Sequence, residues 1–378
     1  MDDTIAVNGT TQDAFAAVKD AFAQNFAEGL EVGASLSVTL KGEPVVDIWA
    51  GDIDTEKSRP WQRDTLVNVW STTKGVTAMA IAILVDRGLL NYRDPVSQYW
   101  PDFAQLGKSD VTVGQLLSHQ AGLCGFREKT TVEDYYNWSR MCRRLAAMKP
   151  FWPLGEGSGY HAVTFGYLAG ELIRRIDGRT PGTFIREELA EPLGTEFWVG
   201  LPEDLEERLS LVIKPPQPAQ LVSDNAPDYV IATMANPPID PEFPHDRGWR
   251  AAEIPAANGH GTANGLARLY SAFANGGSVD GIKIVGRDTI KRATAEQCNG
   301  VDRNLGLEAS WAAGFSRNGR GMYGPNADSF GHSGFGGSMA FADPSAKLSV
   351  GYTMNKMHSN LQGDPRTLRL VEAIYNCL

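Results

Sequence analysis

Ser71-Thr72-Thr73-Lys74 sets a hydroxyl and an amine three residues apart, just ahead of the apolar run Val76, Met79, Ile83 and Leu84. On a helix that spacing puts both groups on one face. A serine there can cap the helix, which is its ordinary use. If the amine is desolvated and neutral, it can instead take the serine proton and make Ser71 a nucleophile without histidine. The Ser71 NH, among the unpaired amides of a first helical turn, can face a developing oxyanion. A lone SxxK is weak, since roughly one is expected by chance in a chain of this size. Two further stretches supply partners. In WPLGEGSGYHAV a glycine-rich turn delivers Tyr160 ahead of a helical pattern, where its phenol can relay a proton. A packed core tyrosine is the plainer alternative. In FGHSGFGGSMAF, His332-Ser333-Gly334 is expected to precede a strand, and its glycine lets a substrate backbone lie close to a main-chain NH. An ordinary glycine turn is the alternative there.

The elements that hold these residues follow from periodicity. Phe15, Val18, Phe22 and Phe26 predict an amphipathic helix within 11–28 that covers a sheet. Apolar alternation on both sides of Lys41-Gly42-Glu43 predicts a hairpin. Toward the C-terminus, 307–315, 338–342 and 348–354 read as strands and 367–375 as a closing helix. The segments 72–87, 113–117, 131–148, 163–177 and 181–189 carry helical periodicity instead. The expectation is an α/β (α+β) domain made of 1–70 and 260–378, with a mainly helical insertion at 71–259 and the active site at their interface. A proline-rich stretch near 215–255 exceeds ordinary loops and is expected to border the site.

Bulk properties narrow the function. A 378-residue chain can bury a deep site. Its net charge of -10, with no basic cluster, argues against nucleic acid or an anionic membrane as partner, leaving a small molecule. The acidic start MDDTIAVNGTTQDAF lacks the pattern of a secretory signal, and no apolar window approaches a membrane span. The expected compartment is the cytoplasm. Cys124, Cys142, Cys298 and Cys377 show no CxxC pairing and the histidines no HExxH, so reduced thiols and no metal or other cofactor are expected.

Ser71-Thr72-Thr73-Lys74, Tyr160-His161-Ala162 and His332-Ser333-Gly334, in that order, resemble the SxxK, YxN and KTG or HxG motifs of the serine β-lactamase and penicillin-recognising superfamily. LLSHQAGL at 116–123, EPLG at 191–194 and NGHGTANGLARLY at 258–270 are similar to family VIII carboxylesterases and their class C β-lactamase relatives. The resemblance runs from about Ser35 to the last helix. It implies a β-lactamase/transpeptidase-like fold, an antiparallel sheet flanked by helices. It also implies an acyl-enzyme on Ser71, with Lys74 as general base, Tyr160 passing the proton to the leaving group, and the Ser71 and Phe335 NH groups as oxyanion hole.

Two literal matches are set aside. Tyr135-Tyr136-Asn137 spells YxN within a helical pattern, and Ser223-Asp224-Asn225 spells SDN in the proline-rich loop. The departures bear on substrate: Ala162 stands where YxN has asparagine, and His332 where KTG has lysine. An alanine cannot hydrogen-bond an acylamide, and a neutral imidazole is a poor carboxylate clamp. Uncharged esters with short or medium acyl chains are therefore the expected substrates. A β-lactamase or D-amino-acid amidase or peptidase is the enzymatic alternative, and a catalytically silent ligand-binding relative the non-enzymatic one. Phe126 and Trp249 are the expected pocket walls, beside His332 and Gly334.

Overall fold

Lys41 and Gly42 both take positive φ, at 56° and 94°, which turns β2 (Gly33–Leu40) directly into β3 (Glu43–Gly51). The computed structural model describes residues 5–215, 217, 221–359 and 363–378. This hairpin lies in a nine-stranded antiparallel sheet with β1 (Asn8–Thr11), β10 (Cys298–Val301), β11 (Glu308–Trp311), β12 (Ser316–Arg317), β13 (Phe330–Ser333), β14 (Met339–Asp343) and β15 (Leu348–Met354). The order across it is β1-β3-β2-β15-β14-β13-β12-β11-β10. A second sheet joins β5 (Phe197–Val199), β7 (Gly259–Gly261), β4 (Leu66–Asn68) and β6 (Leu209–Ser210). β8 (Ser278–Val279) and β9 (Ile282–Lys283) form a separate hairpin.

Register divides the central strands into two kinds of face. Ser37, Thr39, Ser349, Gly351, Ala340 and Ala342 share one face, small and hydroxylated. The helix Ala263–Ala274 settles close upon it: Ser349 Oγ donates to Ala267 O, and a Cβ on Gly351 would fall 2.3 Å from Ala263 O. The opposite face carries Leu36, Val38, Val350, Tyr352, Met339 and Phe341. These are buried in one core with Phe15 and Val18, Phe22 of α1 (Ala16–Ala27), and Leu370 and Ile374 of the closing helix Pro365–Tyr375. Each such side chain contributes about 1.5–3 kcal/mol on burial.

The helix α2 (Thr72–Asp86) is buried on every side through Val85, so it runs through the interior and shows no amphipathic stripe. It packs on the helix Thr164–Asp177 and on β13. Several expected elements differ in detail. The predicted helix over 131–148 is two helices, Val132–Tyr135 and Trp138–Ala147, because the Asn137 side chain accepts from Arg140 N and caps the second. His332 and Ser333 do not merely precede a strand; they end β13. The stretch 215–255 contains the short helices Asp228–Met234 and Arg247–Ala251, while its residues 216 and 218–220 lie outside the described residues. The proposed domain boundaries fall beside β4 and β7, which pair antiparallel through Val67↔Gly261 and Asn68↔His260.

Candidate active site

Between β4 and α2 the chain passes from strand to helix through three residues, Val69, Trp70 and Ser71. Val69 N still donates to Gly259 O at 2.8 Å, Trp70 takes φ 45°, and Ser71 is already at the helix N-cap. A bulky residue at positive φ is a strained choice. It is held by packing: the Trp70 ring lies 5.6 Å from Trp249 and 5.5 Å from Phe335. Ser71 has helical φ and ψ, and its hydroxyl makes no capping bond. The side chain is thus available for something other than closing a helix.

Lys74, one turn on, is fully buried. Its Nζ lies 2.9 Å from Ser71 Oγ, 2.7 Å from Ala162 O and 2.9 Å from Ala256 O. Burial pushes its pKa well below the ordinary lysine value. A neutral amine has two hydrogens and one lone pair. The two carbonyls can only accept, so they take the hydrogens and leave the lone pair for the Ser71 hydroxyl. On the other side, the Tyr160 hydroxyl donates to Ser71 Oγ at 2.7 Å. Burial raises the Tyr160 pKa, with the Asp302 charge adding to it and the Ser71 bond opposing it, so the side chain stands as a phenol. Ser71 Oγ can therefore lose its proton to Lys74 while Tyr160 holds the resulting charge.

Tyr160 is itself fixed from a distant part of the chain. Its NH donates to Asp302 Oδ1 at 2.8 Å, its carbonyl accepts from Asn304 Nδ2 at 2.8 Å, and its ring stacks on Trp311 at 5.7 Å. His332 points from the end of β13 toward the same centre. Its Nδ1 lies 2.8 Å from Ser333 O, an obligate acceptor, so Nδ1 carries the hydrogen. Burial, with the nearby Lys74, lowers its pKa to about 3. At neutral pH it brings no charge.

Gly334 brings the edge of β13 against the turn that carries Ser71. A Cβ at this position would lie 2.3 Å from Val69 O and 2.2 Å from Ser338 Oγ. Ser338 Oγ also donates to Val69 O at 2.7 Å and lies 3.0 Å from Thr72 Oγ1, stitching the two segments together. Among the described residues neither the Ser71 NH nor the Phe335 NH has a backbone acceptor. Beyond Phe335, Gly336 O accepts from Arg366 Nη2 at 2.7 Å, and that buried guanidinium pairs with Glu31 and Asp364.

Ser71, Tyr160, His332, Gly334 and Phe335 line one cavity with Ala162, Leu305, Trp311, Met322 and Tyr323. Leu221, Met234 and Ile239 of the proline-rich stretch close one side. The walls are mainly apolar, with the hydroxyls of Ser71, Ser316 and Ser333 among them, as suits a small uncharged ligand.

Two expected walls are elsewhere. Phe126 is buried under the Arg144 guanidinium, 4.3 Å from its ring, and borders a different surface depression with Arg127 and Arg143. Its carbonyl accepts from Asn236 Nδ2, which fixes it in that packing. Trp249 stands one layer behind Trp70, with Nε1 donating to Asn68 Oδ1 at 3.1 Å. The set-aside matches are accounted for locally. Tyr136 OH donates to Asp246, Asn137 caps its helix, and Ser223, Asp224 and Asn225 are exposed. Sequence reasoning missed Trp70, Leu305, Trp311, Met322 and Tyr323 as walls, and Asp302, Asn304 and Ser338 as supports. Of these, only Trp70 carried a signal, its place next to Ser71.

A helix-borne serine and lysine, a tyrosine on a glycine turn and a sheet-edge glycine, around an antiparallel sheet with helical layers, define a β-lactamase-like serine site. Residues 22–373 match the Beta-lactamase family, and the chain belongs to it. It is 38% identical to "Esterase/beta-lactamase LipL" of Mycobacterium tuberculosis over 94% of this chain and 84% of that protein. A crystal structure of a family VIII carboxylesterase superposes with TM-score 0.95 at 45% identity, covering 99% of this chain and 100% of the other. A penicillin-binding protein homologue from Caulobacter crescentus superposes with TM-score 0.94 at 48% identity, covering 99% and 100%. Among the described residues no helix is long and apolar enough to cross a membrane.

Proposed function

We propose that the protein is a serine carboxylesterase that cleaves short or medium acyl esters through an acyl-enzyme on Ser71. The observation that carries this is Ser71 Oγ held between the Lys74 amine and the Tyr160 phenol in an apolar cavity. In acylation the Ser71 proton passes to Lys74 Nζ as Oγ bonds to the ester carbonyl carbon. The carbonyl oxygen takes the negative charge and is met by the NH groups of Ser71 and Phe335. Collapse breaks the carbon–alkoxide bond. Tyr160 gives its proton to the departing alkoxide and regains one from Lys74, so the amine returns to its neutral form. Water then repeats the sequence as nucleophile, and the acid leaves with Ser71 restored.

Ala162 and the uncharged His332 favour an ester over an anionic β-lactam, since the alanine side chain cannot hydrogen-bond an acylamide and a neutral imidazole cannot clamp a carboxylate by charge. The resemblance to an esterase/β-lactamase makes slow β-lactam turnover the second reading. A panel of p-nitrophenyl esters against a chromogenic cephalosporin, with Ser71→Ala as control, tests both. Ester turnover lost in Ser71→Ala supports the proposal, and faster turnover of the cephalosporin reverses the order. A serine-directed covalent probe that labels neither protein would favour the silent ligand-binding alternative. The free thiols Cys124, Cys142, Cys298 and Cys377 favour a reducing compartment, the cytoplasm, and the net charge of -10 favours a small-molecule ester over nucleic acid or an anionic membrane; cell fractionation tests the former.

A further inference from the structure

Asp302 lies in the turn between β10 and β11, and its side chain is fully buried. Five donors converge on it. Oδ1 accepts from Tyr160 N at 2.8 Å, Asn304 N at 3.0 Å and Leu305 N at 3.1 Å, and Oδ2 from Ser158 Oγ at 2.9 Å and Trp311 Nε1 at 3.2 Å. Among the described residues no cation pairs with it; the neighbouring Arg303 guanidinium turns to Glu156 at 3.3 Å. A buried carboxylate answered only by neutral donors is costly, and a serine or asparagine would suffice to close a turn. Four of the five donors belong to the site or to its support. Tyr160 binds Ser71, Leu305 and Trp311 line the cavity, and Asn304 also holds the Tyr160 carbonyl.

We infer that Asp302 is a positioning residue of the reaction: its carboxylate fixes the backbone of Tyr160 and the Trp311 ring stacked on it, so that the phenol meets Ser71 Oγ. This rests on the proposed esterase reading. The geometry is a lever, because Tyr160 sits on a loop without regular structure and has no other side-chain anchor for its NH. A displacement of about 1 Å at the phenol would cost about 100-fold in rate. The negative charge has a second effect. Beside Tyr160 it disfavours a phenolate, and so keeps the proton on the group that must later give it away.

Asp302→Asn tests both effects. Its Oδ1 can still accept from the three NH groups, but its amide hydrogens oppose Trp311 Nε1 and the charge is gone. With a p-nitrophenyl ester, kcat is expected to fall about 10–100-fold with KM changed by less than about threefold. The loss should be larger for an ester of a poorly leaving aliphatic alcohol than for the p-nitrophenyl ester, because only the former needs the phenol's proton, and a purely structural loss would not discriminate between them. A kcat within about threefold of wild type on both esters would overturn the proposal. If Asp302→Asn does not fold by circular dichroism, the pair Ser158→Ala with Trp311→Phe strips Oδ2 of both donors and keeps the charge. That variant should lose kcat several-fold, about fivefold or more, and unchanged kcat would refute the positioning role. Should wild type and Ser71→Ala behave alike, the esterase reading fails. A dead Ser71→Ala beside a fully active Asp302→Asn sinks only this inference.

Discussion

Replacing Gly334 by alanine probes the join between the sheet edge and the nucleophile turn. An added Cβ would stand 2.3 Å from Val69 O and 2.2 Å from Ser338 Oγ, where ordinary contact begins near 3.4 Å. One segment must therefore yield by about 1 Å, and neither is free to do so. Ser338 Oγ already bonds Val69 O at 2.7 Å, and the Gly334 NH donates to Ser338 O at 2.7 Å. Overpacking of this kind costs about 1–3 kcal/mol of stability. The larger effect should be on rate, because Phe335 follows directly and its NH would leave the oxyanion position. Loss of one such donor costs about 100–1,000-fold in kcat, and KM should hardly move, since the bond forms only as charge develops. Steady-state kinetics on a p-nitrophenyl ester, with thermal melting as control, gives both numbers. An alanine variant with wild-type kcat would refute the placement of the oxyanion hole. A tenfold rise in KM at constant kcat would show instead that Gly334 serves ground-state binding.

Lys74 should set the acid limb of the rate profile, with activity rising as pH passes its depressed pKa and levelling well below the ordinary lysine range near ~10.4; Lys74→Arg, charged at every pH, should be inactive. The same shift has a sign for stability. Between the two values the unfolded chain binds the extra proton, so wild-type stability should climb with pH, and denaturant titrations of Lys74→Met should lack that climb. Arg366→Met leaves Glu31 and Asp364 buried without a cation, and chemical denaturation should show a loss of about 3–5 kcal/mol. Phe126→Ala should lower stability by about 3–5 kcal/mol yet leave KM for esters unchanged, and a shifted KM would return that ring to the substrate pocket. Tyr160→Phe should lose at least about 100-fold in kcat while Tyr135→Phe keeps it, as ester kinetics will decide.

The residues that the fold brings together around Ser71 were legible because their signals are local. Ser71 and Lys74 share a helix face, and Tyr160 announces itself by the glycine turn before it. The same is true of the hairpin at Lys41-Gly42, of Val113–Leu117 and of the strand Leu348–Met354, each of which rests on neighbours within a few residues. Legibility failed where contact joins remote segments. Nothing near Asp302 tells that its carboxylate serves Tyr160, and Phe126 follows a suggestive turn but packs on Arg144 from another helix. The long loop was marked by its prolines, yet which of its side chains would face Ser71 depended on the helix Asp228–Met234, too short to declare itself by period.

The site is also where local preferences are overruled. Trp70 occupies a backbone region that suits glycine, Lys74 is fully buried with no counter-charge among the described residues, Asp302 is an anion held by neutral donors, and His332 is an imidazole stripped of solvent. Any one would weaken an ordinary core by a kilocalorie or more. All four lie beside Ser71 or behind Tyr160, and on the proposed esterase reading each has a use there. The turn at Trp70 presents the hydroxyl, desolvation empties the lysine of its proton, the anion steadies the phenol, and the neutral histidine keeps charge out of the cavity. The cost is carried by surrounding packing, in which Trp249 and Phe335 flank Trp70, and the continuous apolar length of α2 anchors the turn that Lys74 occupies. It follows that Lys74→Met, which removes the cost of burying the amine and keeps the volume, should preserve or raise stability while lowering turnover, the reverse of what a purely structural reading of that residue requires.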